Sequence, residues 1–143
     1  MNNRDMAKSY LKQAAERLRH AEESSSLPYI VRQSQEVVEL SLKAALRMVG
    51  VEPPKWHDVG PVLKQVADRF PEWFKNRIPR LASISRRLRR EREPSMYGDE
   101  ETGTPPEELY TVEDAREALN SAKEVYEACK ALFHELFNMA MDH

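Results

Sequence analysis

The widest apolar surface in the chain belongs to residues 28–49, which read PYIVRQSQEVVELSLKAALRMV. When these positions are wound at about 100° per residue, apolar side chains appear on more than one side. A helix with that pattern lies at the centre of a bundle or at an interface. Pro28 suits the first turn of such a helix and Gly50 suits its end, so both boundaries are marked.

Helical periodicity also dominates the rest of the chain, and the alternation expected of β-strands is absent. The other predicted helices cover approximately residues 5–24, 59–69, 78–93 and 111–139. Pro79 then falls in a first turn, where proline is tolerated, and Thr111 is a predicted N-cap. Residues 94–110 form a long connection of a kind that is usually functional or disordered. We therefore predict that residues 1–143 form a single all-α domain, an up-and-down bundle of four to five helices.

Cysteine usage and hydropathy indicate a protein of a reducing compartment. The chain has 143 residues and a single cysteine, Cys129, so no intrachain disulfide is possible. No run of about 18 apolar residues is present, and the N-terminus lacks the apolar core of a secretion signal. We therefore expect a cytoplasmic protein without a membrane span. Cys129 falls on an apolar helical stripe and is expected in the core.

Charge is distributed unevenly along the chain although the net charge is only −2. Lys75–Arg92 carries eight basic residues and one acid, whereas Glu93–Glu117 carries nine acids and one base. Such asymmetry is found where a binding patch lies beside a screening acidic loop. It is also found where two solvated helix faces pair within a dimer, and charge alone favours this second interpretation.

Arg92 is the most unusual residue of the basic segment. Leu81, Ile84, Ser85 and Leu88 form one helical stripe, and Arg92 occupies the next position on it. By the same register, Arg86 and Arg90 lie on the opposite side and face water. We therefore predict that Arg92, beside Tyr97, is a functional group in a place where an apolar residue is expected. The alternatives are an ion pair with Glu39 or a loop acid for Arg92, and a loop position covering the core for Tyr97.

Two adjacent runs carry a family resemblance. Ser34–Leu46 reads SQEVVELSLKAAL and Val49–Val59 reads VGVEPPKWHDV. Together they resemble the HEPN domain, a small helical bundle in which a Gln-x-x-x-Glu-x-x-x-Lys pattern precedes a Gly, a Pro-rich turn and a His. The residues at matching places here are Gln35, Glu39, Lys43, Gly50, Pro53, Pro54 and His57. The segment that begins at Tyr110 looks like the last helix of that family.

The resemblance implies a homodimer and, in many members, a small nucleotidyltransferase partner in a toxin–antitoxin pair. Many members are metal-independent RNases, and others bind nucleotides without cleaving RNA. The RNase members carry an Arg, four to six residues, and a His near the end of the fourth helix, and two such motifs meet across the dimer. Here Arg92 stands at the matching place, but Tyr97 replaces the His.

The replacement of the His removes the usual general base. An imidazole titrates near neutral pH, whereas a phenol with an ordinary pKa of about 10 stays protonated. We therefore assign no catalytic residue and predict that Arg89, Arg92 and Tyr97 bind a nucleotide or RNA in a dimer groove. Two alternatives remain: a metal-independent endoribonuclease, and a non-catalytic interaction module that docks through Arg86 and Arg90.

The remaining candidate residues favour structural roles. Trp56, Trp73 and Phe74 either stack on bases or, more commonly, fill the gap between short helices. The four histidines lack the spacing of metal ligands: His57 is expected to be structural beside a helix start, His20 to be solvated, and His134 and His143 to be isolated. We therefore expect no metal, no cofactor, no membrane association and no sequence-specific readout of DNA.

Overall fold

The computed structural model describes residues 2–56 and 58–137 and confirms the predicted all-α class. Its helices are α1 (Asn3–Glu23), α2 (Leu27–Met48), α3 (Val59–Gln65), α4 (Glu72–Arg89), α5 (Pro94–Tyr97) and α6 (Val112–Phe137). The four long helices build an up-and-down bundle, and the short α3 and α5 lie in its connections. Within the described ranges the only β pairing is an isolated bridge between Asp99 and Thr104. The predicted end of the last helix near Met139 falls outside the described residues.

Helix α2 is the centre of the bundle, as its wide apolar surface predicts. It packs against α1 and α6 along its length and also contacts α3, α4 and α5. Its apolar residues Val37 and Leu42 are fully buried on different sides of the helix, and Leu46 is buried on the same side as Leu42. Because every other helix packs on α2, polar side chains on α2 can reach the ends of several helices.

The two outer long helices pack through the stripes that their sequences contain. On α1 the buried residues are Ala7, Leu11, Ala14, Leu18 and Ala21, a stripe of small and medium side chains that permits close packing on α2. On α6, Thr111 and Asp114 form a reciprocal cap: the Asp114 amide donates to Thr111 Oγ1 at 3.1 Å and the Thr111 amide donates to Asp114 Oδ2 at 3.0 Å. The predicted cap is confirmed.

The bounds of α3 and α4 differ from the predicted ones. Helix α3 ends at Gln65 and a separate 3₁₀ turn covers Ala67–Arg69. Helix α4 begins at Glu72 because Phe74 is drawn fully into the core, against Phe70. Pro79 therefore lies inside α4 rather than in its first turn, and its missing N–H and its ring disturb one backbone hydrogen bond of that helix.

None of the described helices is both long and apolar enough to cross a membrane.

The connection between α4 and α6 is ordered around a tight turn. Gly98 follows α5 with φ +76°, and a Cβ at this position would overlap the carbonyl oxygen of Thr104. The turn is closed by two backbone bonds between Asp99 and Thr104, with N···O distances of 2.8 and 3.0 Å. Glycine is therefore required at position 98 by its positive φ and by the close approach of a backbone oxygen.

Candidate functional site

Arg92 lies on the surface, and the prediction that it occupies an apolar position was wrong. Helix α4 ends at Arg89, and the next amides bond three residues back, from Glu91 to Leu88 at 2.9 Å and from Arg92 to Arg89 at 3.2 Å. A 3₁₀ turn rotates about 120° per residue, so the position three after Leu88 points inward. Glu91 takes that inward place, and Arg92 is exposed.

The side chain of Glu91 is satisfied by a phenol that the sequence analysis did not single out. Tyr110 Oη donates a hydrogen bond to Glu91 Oε1 at 2.9 Å. Burial raises the pKa of Tyr110 well above its usual range, and the Glu91 carboxylate raises it further. Tyr110 is therefore a hydrogen-bond donor at neutral pH, and Glu91 fixes the start of the loop against the start of α6. No local sequence pattern predicts this hydrogen bond, because its two residues are 19 positions apart.

Arg89 belongs to a polar network that joins α2, α4 and the Pro-rich loop. Its Nη1 lies 3.6 Å from Glu39 Oε1, and its Nη2 donates to the Trp56 carbonyl oxygen at 3.0 Å. Glu39 also accepts from Gln35 Nε2 at 3.1 Å and from Lys43 Nζ at 3.2 Å. Gln35, Glu39 and Lys43 are the helical residues of the family pattern. In this structure they hold Arg89 in place, and Arg89 holds the loop.

Arg92 forms no ion pair with any residue of the described ranges, so the alternative that it pairs with Glu39 or a loop acid is wrong. Glu39 pairs with Arg89. Arg86 is also exposed, and no described carboxylate pairs with it. Because α4 tightens into a 3₁₀ turn after Arg89, Arg92 projects in nearly the same direction as Arg89, and Arg86 lies about 60° away. Arg86, Arg89 and Arg92, three residues apart, are called the arginine row below.

The Pro-rich loop is held on both sides of Trp56. Asp58 caps α3 by accepting from the Gly60 amide at 3.1 Å, and it accepts from Ser85 Oγ at 2.8 Å. Trp56 itself is 80% exposed, so the expectation that it fills a gap between helices was wrong. That expectation is confirmed for Phe74, which is fully buried, and for Trp73, whose ring packs edge-on against Phe74. His57 lies outside the described residues.

Tyr97 is 63% exposed and does not cover the core. It lines a cavity of about 540 Å³ together with the acidic residues Glu91, Glu93, Asp99, Glu100 and Glu101. No basic residue lines that cavity, and Arg92 is not among its lining residues. Tyr97 therefore lies on the acidic side of the loop, and its contact with a phosphate stays a prediction.

A second cavity, of about 270 Å³, lies beside the first between the end of α4 and the start of α6. Its polar lining combines Arg87 with Glu91, Tyr110, Asp114 and Glu117. Arg87 donates to Ser121 Oγ at 2.7 Å, so its guanidinium is directed toward α6. Three carboxylates against one guanidinium make this cavity unfavourable for a phosphate group.

The remaining titratable candidates have structural placements. Cys129 is fully buried, which confirms its predicted core position, and burial raises the pKa of its thiol. His20 is exposed on α1, and His143 lies outside the described residues. In residues 2–56 and 58–137 no group of three or more His, Cys, Asp or Glu side chains is placed to hold a metal ion.

The arginine row forms a surface that can bind anions. Two exposed guanidiniums, Arg86 and Arg92, flank Arg89, whose charge is partly balanced by Glu39. Guanidiniums bind phosphate oxygens with planar, bidentate hydrogen bonds. No imidazole stands at the RNase spacing after Arg92, because that place is held by Tyr97.

Comparisons with known proteins agree with the resemblance seen in the sequence. The family model of the HEPN domain matches residues 4–132. A protein of Methanocaldococcus jannaschii named "Putative toxin MJ1304" is 32% identical over 142 residues, which span 93% of this chain and 91% of that protein. No solved structure matches the chain. Since the family match covers most of the chain and the relative is similar over nearly its whole length, this chain belongs to the HEPN domain family.

Proposed function

We propose that this chain is a toxin-type HEPN protein that binds the phosphates of a nucleotide or an RNA through its arginine row. Arg92 contacts phosphate, Arg86 adds a second contact, and Arg89 positions the surface. Two copies form the groove, with the two arginine rows facing it, and a small nucleotidyltransferase is the partner that restrains the toxin. The observation that carries the proposal is a pair of exposed guanidiniums without ion-pair partners among the described residues, in a family of toxin-type proteins.

The charge of the arginine row supports a negatively charged ligand. Some exposed arginines of this chain pair with carboxylates, as Arg80 does with Glu124 and Arg116 does with Glu113, whereas others, Arg19 and Arg90, pair with none of the described residues. Nine acids follow directly in Glu93–Glu117, yet Arg86 and Arg92 pair with none of them. Their charges are available at close spacing, and binding to phosphate releases condensed counterions.

Replacing Arg86 and Arg92 together with alanine is expected to weaken binding of a short single-stranded RNA about 20-fold at low salt, because two phosphate contacts are lost. The slope of log K against log salt concentration should become shallower by about 1.4. Fluorescence anisotropy titrations from about 50 to 200 mM salt measure both quantities.

The matched control replaces Arg4 and Arg116, two exposed arginines that already pair with Asp5 and Glu113. This control changes the net charge equally, so equal losses of RNA affinity in the two double variants would contradict a local site.

Incubation of RNA with the protein in EDTA, followed by denaturing gels, tests the endoribonuclease alternative. Cleavage by wild type that is lost in Arg92→Ala would establish it. The interaction module would be favoured by two results together. The protein would show no detectable RNA binding, and charge reversal of Arg86 and Arg90 would abolish its binding to a partner protein.

A single cysteine at position 92 tests the dimer groove directly. The only native cysteine, Cys129, is fully buried, so Arg92→Cys adds the one accessible thiol of the described ranges. If the two rows face each other across the groove, a bis-maleimide should crosslink most of the dimer, because its spacer bridges two thiols that are too far apart for a direct disulfide, which needs Cα atoms within about 7 Å. Non-reducing gels measure the yield. Arg116→Cys is the control, and equal crosslinking of both variants would contradict a groove at Arg92.

A further inference from the structure

Trp56 is the most exposed large apolar side chain of the described residues, with 80% of its surface accessible. The other tryptophan is satisfied: Trp73 packs against Phe74, and its indole Nε1 donates to Glu135 Oε1 at 3.0 Å. Trp56 has no such partner and makes no ring contact with a described aromatic residue. Most of the Trp56 surface is therefore accessible to a ligand.

The backbone is anchored at Trp56 and at Asp58, although the Trp56 ring is exposed. Pro53 and Pro54 restrict the chain before it, and Pro53 is buried. Arg89 holds the Trp56 carbonyl oxygen, and Asp58 is held two residues later by Ser85. A ring on a restrained backbone loses little conformational freedom on binding, which favours a role in recognition.

The arginine row reaches the Trp56 backbone through Arg89. Arg89 is directly bonded to the Trp56 carbonyl group, Arg92 projects in the same direction as Arg89, and the exposed Lys55 precedes Trp56. An open aromatic face beside a line of cations is the arrangement with which proteins bind unpaired nucleotides, since bases stack while phosphates meet the cations. A duplex would keep its bases stacked inside and leave the indole without a partner.

We propose that Trp56 is a stacking residue for an unpaired base, so that the ligand of the arginine row is single-stranded RNA or a nucleotide rather than a duplex. This inference rests on the proposed function, and it adds the chemical class of the ligand and a residue for its base. The arginine row contacts the phosphates, and Trp56 contacts the base of the same nucleotide or a neighbouring one.

Trp56→Ala is expected to weaken binding of a short single-stranded RNA about tenfold, because one base–aromatic stack is lost. Trp56→Phe should recover most of that loss. The slope of log K against log salt should stay unchanged in both variants, since no phosphate contact is removed. In a Trp73→Phe background, RNA should quench the fluorescence of the remaining indole at position 56.

Inorganic polyphosphate separates this inference from the proposed function, because it has phosphates and no bases. We expect wild type and Trp56→Ala to bind polyphosphate equally, and Arg86→Ala/Arg92→Ala to bind it more weakly. Tyr29→Ala is the control for loss of an exposed aromatic group, and thermal unfolding confirms that each variant is folded.

Each other outcome overturns one or both of the two claims. If Trp56→Ala binds RNA as wild type does, stacking is wrong and the phosphate site stands. If wild type binds neither RNA nor polyphosphate, the proposed function fails and the inference fails with it. If Trp56→Ala lowers dimer or partner affinity but leaves RNA binding unchanged, Trp56 belongs to a protein interface.

Discussion

Replacing Glu39 with alanine is expected to lower the free energy of unfolding by about 3 kcal/mol. The Glu39 side chain is 25% exposed and lies between Lys43 and Arg89, which are 19% and 30% exposed. Without the carboxylate, two partly buried cations repel each other and the Gln35 amide loses its acceptor. For a chain of 143 residues the melting temperature should fall by about 10 °C, as measured by circular dichroism.

The control for Glu39 is Glu113, whose carboxylate lies 2.9 Å from Arg116 but is 73% exposed. Glu113→Ala should change the stability by less than about 0.5 kcal/mol, because water screens the pair and solvates either partner alone. Glu39→Gln should be intermediate, since an amide keeps an acceptor for Gln35 but not the charge. Equal melting temperatures for Glu39→Ala and Glu113→Ala would show that the network does not stabilise the bundle.

Gly98→Ala is expected to cost about 3 kcal/mol, from two physical causes. Its backbone, with φ +76° and ψ −163°, lies in a region that only glycine visits readily. In addition, a Cβ would overlap the Thr104 carbonyl oxygen and lie 3.1 Å from Pro105 backbone atoms. The turn must open to accept the methyl group, so the two bonds between Asp99 and Thr104 should break.

Gly103 provides the matched control for this substitution. It has a similar φ of +72°, but a Cβ there meets nothing within 4 Å. Gly103→Ala should therefore show only the conformational cost, about 1 kcal/mol. Limited proteolysis between residues 99 and 105, with thermal unfolding, measures both variants. A Gly98→Ala protein as resistant as Gly103→Ala would contradict the close approach to Thr104.

Periodicity was sufficient to predict the helices whose packing follows one regular register. The stripe of α1, the central place of α2 and the Thr111 cap of α6 all depend on residues a few positions apart. Periodicity did not predict the start of α4. Pro79 indicated that the helix begins just before it, but the burial of Phe74 extends the helix back to Glu72.

The candidate site was predicted less well than the fold. The direction of each side chain there depends on small changes in the rotation per residue at the end of α4. A regular helix continued past Arg89 places Arg92 inward, whereas the observed three-residue bonds place Glu91 there and turn Arg92 to the surface. Arg92 was therefore wrongly placed by register, and the role of the arginines in binding stays a prediction. The exposure of Trp56 depends on long-range contacts from Arg89 and Ser85, which no local pattern contains.

The acidic cavity beside Tyr97 has a consequence for the direction in which a long ligand can extend. Four of its five carboxylates, those of Glu93, Asp99, Glu100 and Glu101, lie in the loop that directly follows the arginine row, so a negatively charged strand is repelled at that end. The strand would have to continue the other way, back along α4 from Arg92 toward Arg86. The proposed binding surface would therefore have a direction, with a repulsive end beyond Arg92, and that end would limit how many nucleotides one copy could contact.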